Sequence, residues 1–337
     1  MIFAGAMGTR DRERRFVERT FGRHDPGFFG KNCGSCHLSG CLDCHGKDGH
    51  RVALPGKEAC LSCHKGYFVG VDYFGRAPRE ENHRYQRGRL HGGEPYLKML
   101  PDVHAEAGLP CGACHTMKSL AAGRKSAKGC RDCHVPSREV VEHRISSHIE
   151  RLECYACHSA WASQEYGTFF LRFVDSPKKE FFLLRGRKGE YVRSVYLKKQ
   201  DAPPLGVNAS GRIAPIRPQF IAFYTEVRGD RPKGKENRLL AAEWKAFFPH
   251  TVRRETAACD GCHGNPRRFL LENPGERIYL PDRDGMELLS FWNRTGQRVA
   301  NGDFIDLSSF LRMSAKSPAY KKGYVEKWKR LTGFEGD

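Results

Sequence analysis

Apolar and polar residues follow different patterns on the two sides of residue 159. Beyond it, short segments alternate or run apolar between turn-forming residues, which predicts β-strands joined by tight turns. The predicted strands are Thr168–Val174, Glu180–Leu184, Tyr191–Leu197, Arg277–Leu280, Leu288–Asn293 and Gln297–Val299. Two later segments with helical periodicity, Ile305–Met313 and Ala319–Leu331, predict closing helices, the second basic and amphipathic.

The first 158 residues show no comparable pattern. Tyr67–Leu109 is rich in Gly, Arg and His, which predicts a loop region. No segment of the chain approaches the run of about 18 apolar residues that a membrane helix needs. Met1–Gly8 lacks the charged and apolar regions of a signal peptide, so an export signal is not evident.

Composition indicates an unusual interior. Only 39% of the 337 residues are hydrophobic, which is a poor supply of side chains for large conventional cores. A bound apolar cofactor would fill the interior instead.

The cysteines supply the strongest signal. All 14 fall in C-x-x-C pairs, and histidine follows every pair at once. The seven motifs, numbered here in chain order, are Cys33/Cys36/His37, Cys41/Cys44/His45, Cys60/Cys63/His64, Cys111/Cys114/His115, Cys130/Cys133/His134, Cys154/Cys157/His158 and Cys259/Cys262/His263. This pattern is the attachment signature of c-type haem.

The spacing suits haem chemistry. Two thiols three residues apart reach the two vinyl groups on one edge of the porphyrin, and the next residue places its imidazole under the iron. Zinc ribbons also use C-x-x-C pairs, but they do not require histidine after every pair. A disulfide scaffold leaves the seven histidines unexplained, and a thioredoxin-like motif occurs singly within a βαβ pattern. The sequence therefore predicts seven haem c groups.

Histidines are numerous enough to give each iron a second axial ligand. The chain has 15, of which seven belong to the motifs. Because eight remain for seven irons, we expect bis-histidine ligation, with methionine as the alternative ligand. The expected distal ligands are His24, His50, His91, His104, His143, His148 and His250, with His83 unused. The sequence does not say which histidine serves which iron.

The net charge of +18 has three readings: a solvated basic surface, a nucleic-acid-binding surface, or compensation for haem propionates. Seven haems with ionised propionates would lower it to about +11 when oxidised and about +4 when reduced. Charge alone is weak support for nucleic-acid binding. A basic surface near Arg185, Arg187, Lys188, Lys198 and Lys199 is expected to dock a partner through acidic groups.

Motif density predicts the organisation of the chain. Six motifs lie between Cys33 and His158. The segment that holds them has too few residues to wrap each haem separately. We therefore expect a six-haem region over residues 1–158, mostly irregular or helical and packed around stacked haems. Residues 159–337 form a β-containing region with the seventh haem.

The motifs resemble those of the multihaem cytochrome c superfamily. The segment from Trp161 resembles octahaem cytochromes of the tetrathionate and hydroxylamine type, with Glu165, Thr168 and Phe169 in place of an eighth motif. Strand initiation at Gly167 is the other interpretation of that segment. The resemblance implies haem attachment outside the cytoplasm, and so a periplasmic or extracellular protein.

Two functions compete. The first is an electron conduit within a respiratory or extracellular assembly, passing electrons to other redox proteins or to copies of itself in a filament. The second is a reductase that acts on a nitrogen or sulfur oxyanion and has one haem with an open coordination position. The isolated seventh site is the best candidate for that haem.

Overall fold

The computed structural model describes most of the chain. The described ranges are 6–24, 26–32, 40–48, 51–63, 73–74, 87–91, 94–97, 102–122, 127–160, 162–163, 168–174, 191–193, 199–200, 203–228, 231–232, 234, 238–271, 273 and 297–333. Side chains are described for only part of these residues.

Short helices dominate the region of the first six motifs. The α-helices of the described ranges are α1 Ala6–Thr9, α2 Asp11–Arg19, α3 Phe28–Asn32, α4 Lys57–Cys63, α5 Val103–Glu106, α6 Met117–Ala122, α7 Val141–Arg144, α8 Ser146–Arg151, α9 Cys154–His158, α10 Asp260–His263, α11 Leu307–Ser314 and α12 Pro318–Thr332. Single 3₁₀ turns occur at Phe21–Arg23, Cys41–Asp43, Cys111–Ala113, Cys130–Asp132 and Pro266–Phe269. The helices α11 and α12 confirm the two predicted closing helices, with their ends shifted by one or two residues.

Strands are concentrated after residue 160. They are β1 Lys47–Asp48, β2 Arg51–Val52, β3 Tyr73–Phe74, β4 Arg87–His91, β5 Glu94–Leu97, β6 Ala162–Ser163, β7 Thr168–Val174, β8 Tyr191–Arg193, β9 Lys199–Gln200, β10 Leu205–Asn208, β11 Ile213–Arg228, β12 Arg231–Pro232, β13 Arg238–Ala246, β14 Arg298–Val299 and β15 Gly302–Phe304. The region expected as a loop over Tyr67–Leu109 instead contains the three-stranded sheet β3-β5-β4 and the helix α5.

One eight-stranded sheet organises the C-terminal region. Five of its strands follow the order β14-β13-β11-β10-β15, and β7, β8 and β12 pair beside β11 or one another. The central strand β11 is 16 residues long, and it runs antiparallel to β10 and β13 but parallel to β7. The coarse fold expectation, short helices followed by a β-containing region, is confirmed at this level.

The long strand β11 escaped the sequence analysis because of its prolines. Strand β11 contains Pro215 and Pro218, and proline within an apolar run argues against a central strand since it cannot donate to the ladder. In the structure, the Pro215 carbonyl accepts a 3.0 Å hydrogen bond from the Phe247 amide. Pro218 lies at a register shift between Pro218 and Phe220. Pro215 is thus accommodated where its carbonyl accepts a hydrogen bond, and Pro218 is accommodated at a bulge.

Three predicted strands coincide at least partly with observed ones. Strand β7 has the predicted bounds, β8 covers the start of Tyr191–Leu197, and β14 lies within Gln297–Val299. The other predicted strands lie outside the described residues: Glu180–Leu184, Arg277–Leu280 and Leu288–Asn293.

A small core joins the sixth motif to the C-terminal region. The fully buried Ala156 of α9 packs with Leu205, Phe269, Ile305 and Phe310. Burial of this kind contributes about 25 cal/mol per Å² of apolar surface. A second buried group, Phe16, Val17, Phe21 and Phe28, lies in the N-terminal helices.

Hydrogen bonds connect the chain across residue 159. The Ala160 amide donates to the Thr251 carbonyl at 3.0 Å, and the Arg253 amide donates to the His158 carbonyl at 2.9 Å. The salt bridge between Arg19 of α2 and Glu243 of β13 is 2.5 Å long. The division into 1–158 and 159–337 remains a prediction, but the two regions contact each other closely.

No helix within the described ranges combines the length and the apolar character needed to cross a membrane.

Gly302 of β15 offers a test of the sheet packing. A β-carbon at this residue would lie 1.8 Å from the Val207 carbonyl oxygen of β10. Since backbone atoms cannot yield like a flexible side chain, Gly302→Ala is expected to lower the free energy of unfolding by about 2 kcal/mol or more. Denaturant titration followed by circular dichroism measures this. Gly56→Ala, where no atom lies within 4 Å of the added carbon, is the control, and equal losses in the two variants would contradict the described packing.

Candidate functional site

Each described motif folds into one tight turn. Motifs two, four and five form 3₁₀ turns, and motifs six and seven form α9 and α10. The amide of the motif histidine donates to the carbonyl of the first motif cysteine, at 3.0 Å for His45, 2.9 Å for His115, 2.8 Å for His134 and 2.9 Å for His263. This closure fixes the imidazole relative to both thiols.

Aspartate side chains stabilise two of these turns. Asp43 Oδ2 accepts the Gly40 amide at 3.0 Å, and Asp132 Oδ2 accepts the Gly129 amide at 2.7 Å. Such local bonds satisfy amide groups that a single turn leaves without a helical partner. The polar residue inside each of these motifs therefore shapes the turn.

The second cysteine of each 3₁₀ motif ends the turn as its C-terminal cap. These residues are Cys44, Cys114 and Cys133. Their amides donate to the carbonyl of the first motif cysteine at 3.3 Å, 3.3 Å and 3.2 Å, in the same order. The turn therefore sets the separation of the two thiols in each of these motifs.

The exposure of these three cysteines varies. Cys114 and Cys133 are exposed, and Cys44 is half-buried. None of the three 3₁₀ turns buries a side chain of its own. The assignment of these cysteines as haem-attachment residues stays a prediction.

Four motif histidines each face a second histidine that belongs to another segment of the chain. The ring-centroid distances are 6.1 Å for His115 with His250, 5.8 Å for His134 with His104, 6.1 Å for His158 with His143, and 6.0 Å for His263 with His148. Each pair joins the histidine of one motif to one of the expected distal ligands.

The distances in these pairs match ligation of a common metal ion. A metal–imidazole nitrogen bond is about 2.0 Å long, and each nitrogen lies about 1.1 Å from its ring centre, so two rings on opposite sides of one ion have centres about 6 Å apart. Direct ring stacking does not require this recurring distance. Motifs four to seven therefore each have two imidazole rings at a separation that would suit one metal ion between them.

Hydrogen bonds at Nδ1 orient several of the rings. His158 Nδ1 lies 3.1 Å from the Arg253 carbonyl oxygen, and His263 Nδ1 lies 2.9 Å from that of Met313. His143 and His45 make the same kind of contact, with Ser137 at 3.2 Å and Ala53 at 2.8 Å. Because a carbonyl only accepts, Nδ1 donates, and the lone pair of Nε2 is available to a metal.

Asp102 supports His104 in a different way. Its buried carboxylate accepts the His104 amide and lies 2.9 Å from His104 Nδ1, and it also accepts the Val252 amide at 2.7 Å. A carboxylate on the second ring nitrogen fixes the tautomer and makes the imidazole a stronger ligand. Sequence analysis missed Asp102, although an aspartate two residues before a histidine at the start of a helix is a signal for such capping.

Two of the histidines expected as distal ligands, His148 and His250, carry features that ordinary packing does not favour. Burial, with a smaller effect from nearby His263, lowers the pKa of His148, which keeps the imidazole neutral and able to bind a metal. His250 has φ of +53°, a left-handed conformation that disfavours a residue with a β-carbon. Backbone strain of this kind often accompanies functional positions.

Thiols of successive motifs lie next to one another. Cys130 and Cys154 share a hydrogen bond that raises the pKa of Cys130 and lowers the pKa of Cys154 to about 6. Burial raises the pKa of Cys60 to about 11, and the charge and hydrogen bond of the neighbouring Cys111 add to the rise. Motif three thus adjoins motif four, and motif five adjoins motif six.

Motifs six and seven are also neighbours. Burial raises the pKa of Cys157 to about 12, and the adjacent thiol of Cys262 adds to the rise. Among the cysteines whose side chains the structure describes, none forms a disulfide bond. Besides the three turn-ending cysteines, Cys41 is exposed, and the half-buried ones are Cys60, Cys111, Cys130, Cys154, Cys157, Cys259 and Cys262.

Several predicted site residues lie outside the described residues. These are Cys33, Cys36, His37, His50, His64 and His83, together with the segment 164–167 of the proposed lost motif. Cys63 and His91 are placed only as backbone positions, at the end of α4 and the end of β4. His24 is exposed after the 3₁₀ turn Phe21–Arg23, and the histidine that would face His45 is not among the described pairs.

The recurring unit is a histidine pair. Within the described part of the chain, no group of three or more His, Cys, Asp or Glu side chains gathers as a metal cluster. Comparisons with protein-family models, with curated proteins and with solved structures find no match to this chain.

Proposed function

We propose that this protein carries seven covalently attached c-type haems and transfers electrons through them. The observation that supports this best is the set of four histidine pairs, each about 6 Å between ring centres. A porphyrin supplies four of the six iron ligands, so a pair of histidines completes the set. Haem iron, when bound, alternates between Fe(III) and Fe(II) and so accepts or releases one electron.

Apolar side chains beside the motifs fit the same proposal. Leu42 lies inside motif two and is 51% exposed, and Met117 beside motif four is 52% exposed. Val135 directly follows motif five and is 93% exposed. Large apolar side chains next to a binding motif suit a flat, largely apolar ligand, which would remove them from water.

The chain's own residues would hold this cofactor in three ways. The two cysteines of each motif would hold the haem through thioethers, and the motif histidine together with a second histidine would hold the iron. Carbonyl and carboxylate acceptors at Nδ1 keep the rings in position. At the four described pairs the two histidines would leave no iron position open to a substrate.

The pairing favours the conduit over the reductase. The isolated seventh motif was the best candidate for an open iron, yet His148 faces His263 at 6.0 Å. We therefore propose a subunit that exchanges electrons with other redox proteins or with its own copies. Covalent haem attachment implies export, so we place the protein in the periplasm or outside the cell.

The proposal is tested by intact mass and electron paramagnetic resonance of the protein from a host that matures c-type cytochromes. We expect a mass larger than the polypeptide by seven haems, because seven motifs are complete. The ferric protein should show low-spin signals. Six or eight haems would contradict the count, and a stoichiometric high-spin signal would favour the reductase.

A distal variant tests the pairing. Replacing His250 with alanine is expected to leave seven haems attached, since the cysteines remain, but to make one of the seven high-spin. Visible and paramagnetic resonance spectra measure this change.

His83→Ala is the control for His250→Ala because His83 is the histidine expected to be unused. If both variants kept a fully low-spin spectrum, His250 would not be a ligand. If His83→Ala produced the high-spin signal, the assignment of the unused histidine would be wrong.

Helix α12 is the described surface best suited to a redox partner. Its exposed face carries Val325, Trp328 and Leu331, which are 53%, 50% and 66% exposed. The exposed Lys321, Lys322 and Lys329 surround this apolar stripe. An apolar centre with a charged rim is typical of protein interfaces, and the charge fits an acidic redox protein. The basic residues named from the sequence, around Arg185, have no described side chains.

The same helix lies against two of the proposed sites. The Tyr320 ring lies 4.8 Å from the ring of His263 in a tilted arrangement and stacks on Tyr324 at 5.9 Å. Trp328, 6.2 Å from Tyr324, reaches the surface. On another side, Lys327 pairs at 2.5 Å with Glu142 of α7, the helix that carries His143. A partner on α12 would therefore dock close to motifs six and seven.

Charge reversal on α12 tests this docking surface. The triple variant Lys321→Glu, Lys322→Glu, Lys329→Glu is expected to slow electron transfer from a reduced, acidic flavodoxin about tenfold at low salt, because steering is lost. Stopped-flow measurements should show the difference shrinking as salt increases.

A reversal of equal size at exposed residues elsewhere, Arg15→Glu, Lys118→Glu, Lys128→Glu, is the control. If both triple variants slowed the transfer equally, the effect would be one of net charge and α12 would not be the docking surface.

A further inference from the structure

Arg268 occupies an unusual position between two motifs. It lies in the 3₁₀ turn Pro266–Phe269, which directly follows motif seven. Its side chain reaches motif six, where Nη2 donates a 2.9 Å hydrogen bond to the carbonyl of Ala156. Ala156 is one of the two residues between Cys154 and Cys157, so Arg268 contacts the attachment turn itself.

The guanidinium is buried without a compensating anion. Arg268 is 3% exposed, and its Nε and Nη1 atoms are buried without a hydrogen-bond partner. Within the described part of the chain, no carboxylate forms a salt bridge with it. The buried carboxylate of Glu243, in contrast, is paired with both Arg19 and Arg298.

A buried charge of this kind needs a nearby opposite charge. Removing an ion from water costs several kcal/mol even after the protein relaxes, and a single hydrogen bond to a carbonyl recovers only a part of that cost. The charge of Arg268 acts on the thiol of Cys157 in motif six, where it opposes the rise in the pKa of Cys157, and the thiol of Cys262 in motif seven also acts on Cys157. The group to be attached at these two sites is therefore the natural source of negative charge.

We propose that Arg268 is the buried counter-charge of the anionic haems attached at motifs six and seven, and that it raises their reduction potentials. This inference rests on the proposed function. It assigns Arg268 an electrostatic role without direct contact, since its free nitrogen atoms are covered by protein atoms.

The direction of the effect follows from charge. With ionised propionates, a ferric haem carries about −1 and a ferrous haem about −2. Reduction adds one electron at the iron and breaks no bond, so the negative charge beside Arg268 increases by one. A fixed positive charge in a medium of low dielectric constant stabilises the more negative form over a longer range than it would in water.

The test compares Arg268→Met with the parent protein by spectroelectrochemical titration, in which the electrode supplies the electrons. We expect one or two of the seven one-electron steps to move to lower potential. The equilibrium constant for reduction of the nearest site should fall about tenfold, which corresponds to about 59 mV. Arg267→Met, at the partly exposed neighbour in the same turn, should change this equilibrium constant far less, because solvent screens the charge of Arg267.

Arg268→Lys separates charge from structure. The lysine lacks the guanidinium that binds the Ala156 carbonyl but keeps the positive charge. The free energy of unfolding should therefore fall, while the reduction potentials remain close to those of the parent protein. Potentials that moved as far in Arg268→Lys as in Arg268→Met would overturn the proposal, as would unchanged potentials in Arg268→Met.

The parent protein provides a measurement that does not depend on a stable variant. Its low-spin signals, assigned to motif six or seven through His143→Met and His148→Met, should disappear on reduction earlier than those of most other sites. Disappearance last of all would overturn the proposal. A protein with seven haems and these results would contradict only the role of Arg268, whereas a protein without covalent haem would contradict the proposed function.

Discussion

Two imidazole rings facing each other across about 6 Å are the arrangement on which the described structure depends. In four places a motif histidine is held in this way opposite a histidine from another segment. The pairs are not independent, because thiols of successive motifs also touch and because α12 lies against both His263 and α7. Displacing one ring would therefore disturb the neighbouring sites as well.

The rest of the fold supports these pairs with few apolar residues. The core around Phe269 and Phe310 includes Ala156 of motif six, so conventional packing and the proposed cofactor attachment share one helix. Asp102 has the same double role, since it orients His104 and also accepts the Val252 amide. Stability and site geometry are consequently difficult to alter separately in this region.

The sequence predicts what is encoded locally. Strand β7 and the two closing helices follow from the periodicity of apolar residues, and the expected distal set includes His104, His143, His148 and His250. The partner of each ring could not be read from the sequence, because it depends on how distant segments pack. Strand β11 was missed since proline normally argues against a central strand. Arg268 looks like any other arginine in a basic chain until its burial is known.

The pairing of His115 with His250 joins segments that leave the ribosome far apart in time. Motif four is made well before its second histidine, whereas His104 and His143 are made before the motifs that they face. A chain that folds from its N-terminus can therefore bring His104 to His134 and His143 to His158 early, whereas His115 meets its partner only once the segment around His250 is present. The C-terminal region thus completes the histidine pair of motif four.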